Sequence, residues 1–169
     1  MKMDFYEVIK GRRSVRAYRS DPVEDEKLER ILSTARTAPS AANRQPVLFH
    51  VIRDPKLREK MIEVYSQGWF TQAPVIICAS ARPAEAWQRG DGKNYADVDV
   101  AIAMDHLILA AAAEGLGTCW IGAFKADRLR ELLELPDELE PLALTPVGYP
   151  AQEPEARPRK PLDELVEYR

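Results

Sequence analysis

Hydrophobic and polar positions along the chain fall into short blocks of helical or strand spacing, with breakers between them. Near the N-terminus, Phe5, Val8 and Ile9 share one face of a short helix that Asp4 caps and Gly11 closes. Pro22 opens a second helix, with Leu28, Ile31, Leu32 and Ala35 at helical spacing. "VLFHVI" at 47–52 is β-rich and reads as a strand, and Asp54-Pro55 starts a third helix running to about Tyr65. "PVIICAS" at 74–80 is continuously apolar, the pattern of a central strand buried on both faces. A polar loop with a Gly-Asp-Gly turn fills 82–95. The alanine-rich stretch 96–114 shows little polar face and predicts a long, central, largely buried helix. "TCWIGAF" at 118–124 predicts a short strand and turn, "KADRLRELLEL" an amphipathic helix, and "PLALTPVGY" at 141–149 the last strand.

Beyond Pro150 the chain turns rich in proline and charge, which predicts an extended arm at 151–169 after a domain at 1–150. No internal repeat is visible. Three or four strands with five helices make an α+β or three-layer domain, since the connections do not alternate strictly enough for a doubly wound sheet.

The totals narrow the class. A chain of 169 residues suits one domain with a sizeable core. With a net charge of -3, a general nucleic-acid binder is unexpected, so any basic cluster is a local feature. Cys78 and Cys119 lie in apolar runs and read as buried thiols. His50 and His106 have no Cys/His spacing that suggests a metal site. "MKMDFYEVIK" lacks the apolar core of a signal peptide, and the apolar stretch from Val98 to Ala113 is broken by Asp99, Asp105 and His106. A soluble, cytoplasmic protein without nucleic-acid or membrane partners is the expectation.

Against that acidic background, "KGRRSVRAY" at 10–18 crowds Arg12, Arg13 and Arg16 around Ser14. Guanidinium forks match phosphate oxygens, a serine hydroxyl completes such a cradle, and a bound phosphate removes the mutual repulsion. A phosphate-bearing ligand is therefore indicated, against the alternative of a solvated turn. In "PSAANRQP" at 39–46, small residues let a flat ligand approach while Asn43 and Gln45 present amides to a polar ring edge; a plain helix-ending loop fits equally. Gly115 and Gly117 close a helix, whereas dinucleotide-binding glycines follow a strand and open one. Gly122 follows a strand, where a missing side chain exposes backbone N–H groups. Arg157 and Arg159 alternate in the tail, so both can point one way from an extended arm. No nucleophile–base pair is legible, which indicates a cofactor that carries the chemistry.

These pieces together resemble the nitroreductase family of FMN-dependent oxidoreductases, in its short form. "RRSVRAY" looks like the family's phosphate motif, "APSAANRQPVLFHVI" its loop and strand over the flavin, and "APVIICAS" its central strand. "DVDVAIAMDHLILAAAAEGLGTCWIGAF" is similar to the long dimer helix and following turn, and "PVGYP" with "RPRKPLDELV" to the closing strand and basic tail. The resemblance implies a three-layer α/β/α fold around a mostly antiparallel sheet, and a homodimer with FMN at the subunit interface. It implies that Arg12, Arg13 and Ser14 hold the phosphate and ribityl end, that Arg16 reaches the pyrimidine edge, and that Arg157 and Arg159 return to the phosphate. Pro39, Ser40, Ala41 and Asn43 are to line the ring from the other subunit, Gln45 counts among the cofactor-binding residues, and Ile121 and Gly122 present backbone near flavin N5. The implied activity is ping-pong transfer of a hydride from NAD(P)H to a small acceptor such as a nitroaromatic, a quinone or a flavin. No side chain is expected to be an essential acid or base. The alternatives are a specialised flavin enzyme (a reductive dehalogenase or a flavin-fragmenting one) or a flavin-binding protein without activity. Residues 66–95 are short for the family, and Trp69, Phe70, Trp87 and Tyr95 either flank the pocket or fill the core.

Overall fold

Four strands form one sheet, and every pairing between them is antiparallel. The computed structural model describes residues 4–169. Its strands are β1 (Val47–Ile52), β2 (Val75–Ala81), β3 (Gly117–Thr118) and β4 (Glu140–Gly148), in the order β1-β2-β4-β3. The helices are α1 (Phe5–Gly11), α2 (Asp25–Ala35), α3 (Pro55–Lys60), α4 (Gly68–Gln72), α5 (Ala96–Ala113) and α6 (Ala126–Leu133).

The central place of β2 follows from its composition, because a strand apolar on both faces, with Ser80 its one polar side chain, needs cover on both sides. All of β2 is buried. Val75, Ile77 and Ala79 face α2 and α5, while Ile76 and Cys78 face the opposite layer with Met61, Phe70 and Leu129. Helices on both sides of an antiparallel sheet make the molecule a three-layer α+β domain.

α5 buries a stripe at three- and four-residue intervals, from Ala96 and Val100 through Met104 and Leu107 to Ala111. Its opposite face mixes apolar and charged residues, with Val98 and Ala101 exposed beside Asp97 and Asp105 in the single chain. The helix closes where Gly115 takes a φ of +75° and the N–H groups of Gly115 and Leu116 return to the carbonyls of Ala112 and Ala111. Asp4 and Glu7 form the reciprocal cap of α1: Tyr6 N–H donates to Asp4, and Asp4 N–H to Glu7.

Three elements differ from the sequence-based expectation. The second helix starts at Asp25, because Val23 stays extended and buries itself in the core ahead of the Glu24 cap. The third helix ends at Lys60 and tightens into a 3-10 turn at Met61–Glu63, followed by the unforeseen α4. Met61, Val64 and Phe70 all enter one core cluster, and a straight helix would not aim all three at it. The loop 82–95 is a small hairpin rather than open chain. Gln88 pairs with Asn94, Gly92 turns at φ +88°, and Trp87 meets Tyr95 edge to face at 5.0 Å. After Pro150 the chain runs extended apart from a single turn at Leu162–Glu164, with Leu162 and Leu165 exposed. Among the described residues no helix is long and apolar enough to cross a membrane.

Candidate functional site

The segment after α1 is built into the edge of the sheet. Val15 N–H donates to Thr118 O at 2.8 Å, and Ser14 and Thr118 form a parallel bridge. Val15 is buried, which leaves Ser14 half-buried and Arg16 exposed on either side of it. Tyr18 pins the turn from beneath, donating its hydroxyl to Val15 O at 2.7 Å, and burial pushes the Tyr18 phenol well up, so it stays a donor. Arg19 N–H donates to Tyr149 O and Ala151 N–H to Ala17 O, so the start of the tail is stitched to this same segment.

That stitching brings the two basic motifs together. Arg12, Arg13, Ser14 and Arg16 share a cavity of about 910 Å³ with Arg157 and Arg159. Lys10 adds a sixth cation, and Glu155 is the one acid on its walls. Among the described residues, none of these five arginines has a carboxylate partner at salt-bridge distance. Arg13 also reaches back to the carbonyls of Lys10 and Arg12, which caps the open end of α1. The Arg16 guanidinium lies 6.0 Å from the ring centroid of Trp69, and Trp69 leans on the cluster of Val15, Tyr18 and Ala73. Burial pushes the Cys119 thiol up, against the opposing pull of Arg16 and Ser14. That thiol therefore remains protonated beside the basic wall.

The remaining predicted site residues lie elsewhere in the single chain. Pro39, Ser40 and Gln45 border a separate cavity of about 200 Å³ next to Asp99. Ala41 and Asn43 lie on the same loop, with Asn43 exposed and the Gln45 amide turned back onto Asn43 O at 3.1 Å. Ile121 lies at an isolated bridge to β4. Its N–H donates to Leu144 O and its carbonyl accepts from Leu144 N–H, both at 2.9 Å, so it has no free backbone donor for a ligand. Gly122 is exposed, with open space where a Cβ would stand. Of the four aromatic residues singled out, Phe70 is core, Trp69 supports Arg16, and Trp87 and Tyr95 brace the hairpin.

Sequence reasoning missed Asp99. It is 2% exposed on α5, and its Oδ1 accepts from Ala41 N–H at 2.9 Å. An aspartate inside an apolar stripe was the available signal.

The same segments recur in known proteins. A crystal structure of a nitroreductase family protein from Clostridium difficile superposes with a TM-score of 0.91 and 37% identity, covering 98% of both chains. The FMN reductase (NAD(P)H) of Bacillus subtilis is 34% identical over 92% of this chain and 70% of its own length. An NADH dehydrogenase of Thermus thermophilus is 31% identical over 94% of this chain and 92% of its own. The sequence model of the nitroreductase family matches residues 9–69 and 62–149, taking in the arginine segment, the loop, the central strand and the long helix. The chain thus belongs to the nitroreductase family.

Proposed function

We infer that the chain carries out the chemistry of its family: it is an FMN-dependent oxidoreductase that draws hydride from NAD(P)H. The observation that carries the reading is the basic cavity, where five arginines, without carboxylate partners among the described residues, converge with Ser14 from two distant segments. That donor set fits a terminal phosphate dianion, through charge-assisted and bidentate hydrogen bonds. When bound, FMN supplies the hydride acceptor and donor that the side chains lack.

Arg12, Arg13, Ser14, Arg157 and Arg159 hold the phosphate end. Arg16, steadied over Trp69, sets a fixed positive charge toward the polar edge of the ring system, where it favours accumulation of negative charge. The ring end is incomplete in one chain, since Pro39, Ser40, Ala41, Asn43 and Gln45 sit away from the arginine cavity. A second copy of the chain completes it, and the working unit is a homodimer. Donor and acceptor use one open approach in turn, so the kinetics are ping-pong, and the acceptor is a small nitroaromatic, quinone or flavin. Protons come from solvent or substrate. Free, buried Cys78 and Cys119 suit the reducing cytoplasm.

The test is anaerobic mixing of the yellow protein with NADH and with NADPH, followed by a panel of acceptors. Bleaching by a nicotinamide and recovery of colour with an acceptor are expected. A flavin that no nicotinamide bleaches would overturn the enzymatic reading and leave a flavin-binding protein.

A further inference from the structure

The loop after α2 is held in an improbable shape. Ala42, Asn43 and Gln45 take φ values of 51°, 54° and 53°, in the left-handed region, and none is glycine. Such backbone persists only where other contacts enforce it. Most of the hydrogen bonds of residues 39–45 stay inside the loop. Gln45 N–H donates to Ser40 Oγ at 2.9 Å, Asn43 N–H to Ser40 O at 2.9 Å, and Gln45 Nε2 to Asn43 O at 3.1 Å. Among the described residues, the hydrogen bond that ties this loop to another element is Ala41 N–H to Asp99 Oδ1, at 2.9 Å.

Asp99 is itself an anomaly. It occupies a position of the α5 stripe that packing alone would fill with an apolar side chain. Its Oδ2 is buried and has no hydrogen-bond partner among the described residues. Beside it, the cavity of about 200 Å³ bordered by Ser40, Gln45 and Asp99 leaves the loop room to relax inward. Close packing therefore does not enforce the left-handed run; hydrogen bonds do, and the one from Ala41 to Asp99 anchors that bonded loop to a rigid element.

We propose that Asp99 is a positioning residue. Its carboxylate clamps Ala41 N–H and so holds residues 40–45 in the strained shape that presents Ala41 and Asn43 to the flavin ring of the partner's site. The role rests on the FMN reading above. It predicts that an acceptor oxygen, rather than volume, is what position 99 must supply.

Three variants separate these requirements. Asp99→Asn keeps the outline and one acceptor oxygen, Asp99→Ala removes both, and Asp99→Leu keeps bulk suited to an apolar stripe without an acceptor. In the FMN-free protein, amide hydrogen exchange over residues 39–46 is expected to rise about tenfold or more in the Ala and Leu variants, the scale for losing a hydrogen bond to a charged group. In the loaded protein the same two variants are expected to shift the visible flavin absorption bands and weaken FMN about tenfold, with Asp99→Asn close to the parent in both readouts. Arg12→Ala serves as the reference arm, weakening FMN without altering exchange in the loop. Unchanged exchange in Asp99→Leu overturns the clamp. Faster exchange with parental flavin spectrum and affinity, while Arg12→Ala weakens FMN, overturns the link between loop and flavin. If Arg12→Ala also leaves FMN affinity unchanged, the FMN reading has failed and the proposal falls with it. Should Asp99→Ala not fold, the Leu and Asn pair carries the comparison alone.

Discussion

Five guanidinium groups around one cavity repel one another, and among the described residues none has a carboxylate at salt-bridge distance, Glu155 being the one acid on the walls. Such a cluster is worth its electrostatic cost only when an anion is there to bind. Arg12→Ala is therefore expected to weaken FMN by about 1.5–3 kcal/mol, the range for a hydrogen bond to a charged group, as measured by titration of the FMN-free protein. The neighbouring thiols behave differently. Burial pushes Cys78 up to about 11, opposed weakly by the Ser80 hydroxyl, and burial likewise raises Cys119. A raised thiol pKa means that the neutral form dominates at neutral pH, and thiols in that form are poor nucleophiles. Both cysteines are expected to resist iodoacetamide in the native protein and to react once it is unfolded, which intact-mass measurement resolves. Cys78→Ser, Cys119→Ser and His106→Gln are each expected to lower the rate of flavin reduction by less than about tenfold, short of the loss that follows removal of a general acid or base. A stopped-flow collapse of that rate in a folded, FMN-loaded variant would reveal a catalytic group.

At the scale of elements, the arginine segment keeps its place because β3 is thin where it docks. A Cβ on Gly117 would stand 2.8 Å from Val15 Cγ2, so only glycine lets Val15 lie against the strand. Gly117→Ala is expected to push Val15 outward and cost about 1–3 kcal/mol of stability, the usual penalty for overpacking. FMN affinity should fall with it, because Ser14 and Arg16 flank Val15; denaturant unfolding and FMN titration read the two effects. What the sequence made legible follows the same division between strong local signals and packing. The Asp4 cap, the doubly buried β2 and the long α5 were readable because each is a local pattern with one sensible period. The turn at Met61–Glu63 and the short α4 were not, because they exist to aim Met61, Val64 and Phe70 at one cluster. The arginines were readable by charge density alone, but their meeting with Arg157 and Arg159 depends on main-chain bonds from Tyr149 and Ala151 to residues 17–19. Least legible was the loop 39–45, whose left-handed residues carry no glycine to announce them and whose anchor, Asp99, lies 58 residues from Ala41.

The single chain leaves several large apolar side chains exposed. α1 leaves Phe5, Tyr6 and Ile9 exposed while burying Val8, and the tail leaves Leu162 70% and Leu165 65% exposed. Apolar side chains of this size on a proline-rich arm cannot form a core among themselves, and the outer face of α5 with Val98 is open as well. In the homodimer proposed above, one partner surface would cover all three, and the second copy would bring its 39–45 loop toward the arginine cavity. The proposed homodimer should accordingly bury more than about 2,000 Å², with the hydrophobic character of an obligate interface. In the proposed dimer the arm has two functions, covering the partner and carrying Arg157 and Arg159 into the basic cavity. Removing residues 151–169 is expected to weaken dimerisation and FMN retention together, whereas Arg157→Ala with Arg159→Ala should weaken FMN while leaving the dimer intact. Sedimentation at low micromolar concentration, read at both protein and flavin wavelengths, separates the two effects. If the truncated chain sediments as a monomer and still carries its FMN, the site is complete in one subunit and the shared arrangement is wrong. If flavin and dimer are lost in parallel, and only flavin is lost in the double arginine variant, the arm joins assembly to cofactor binding.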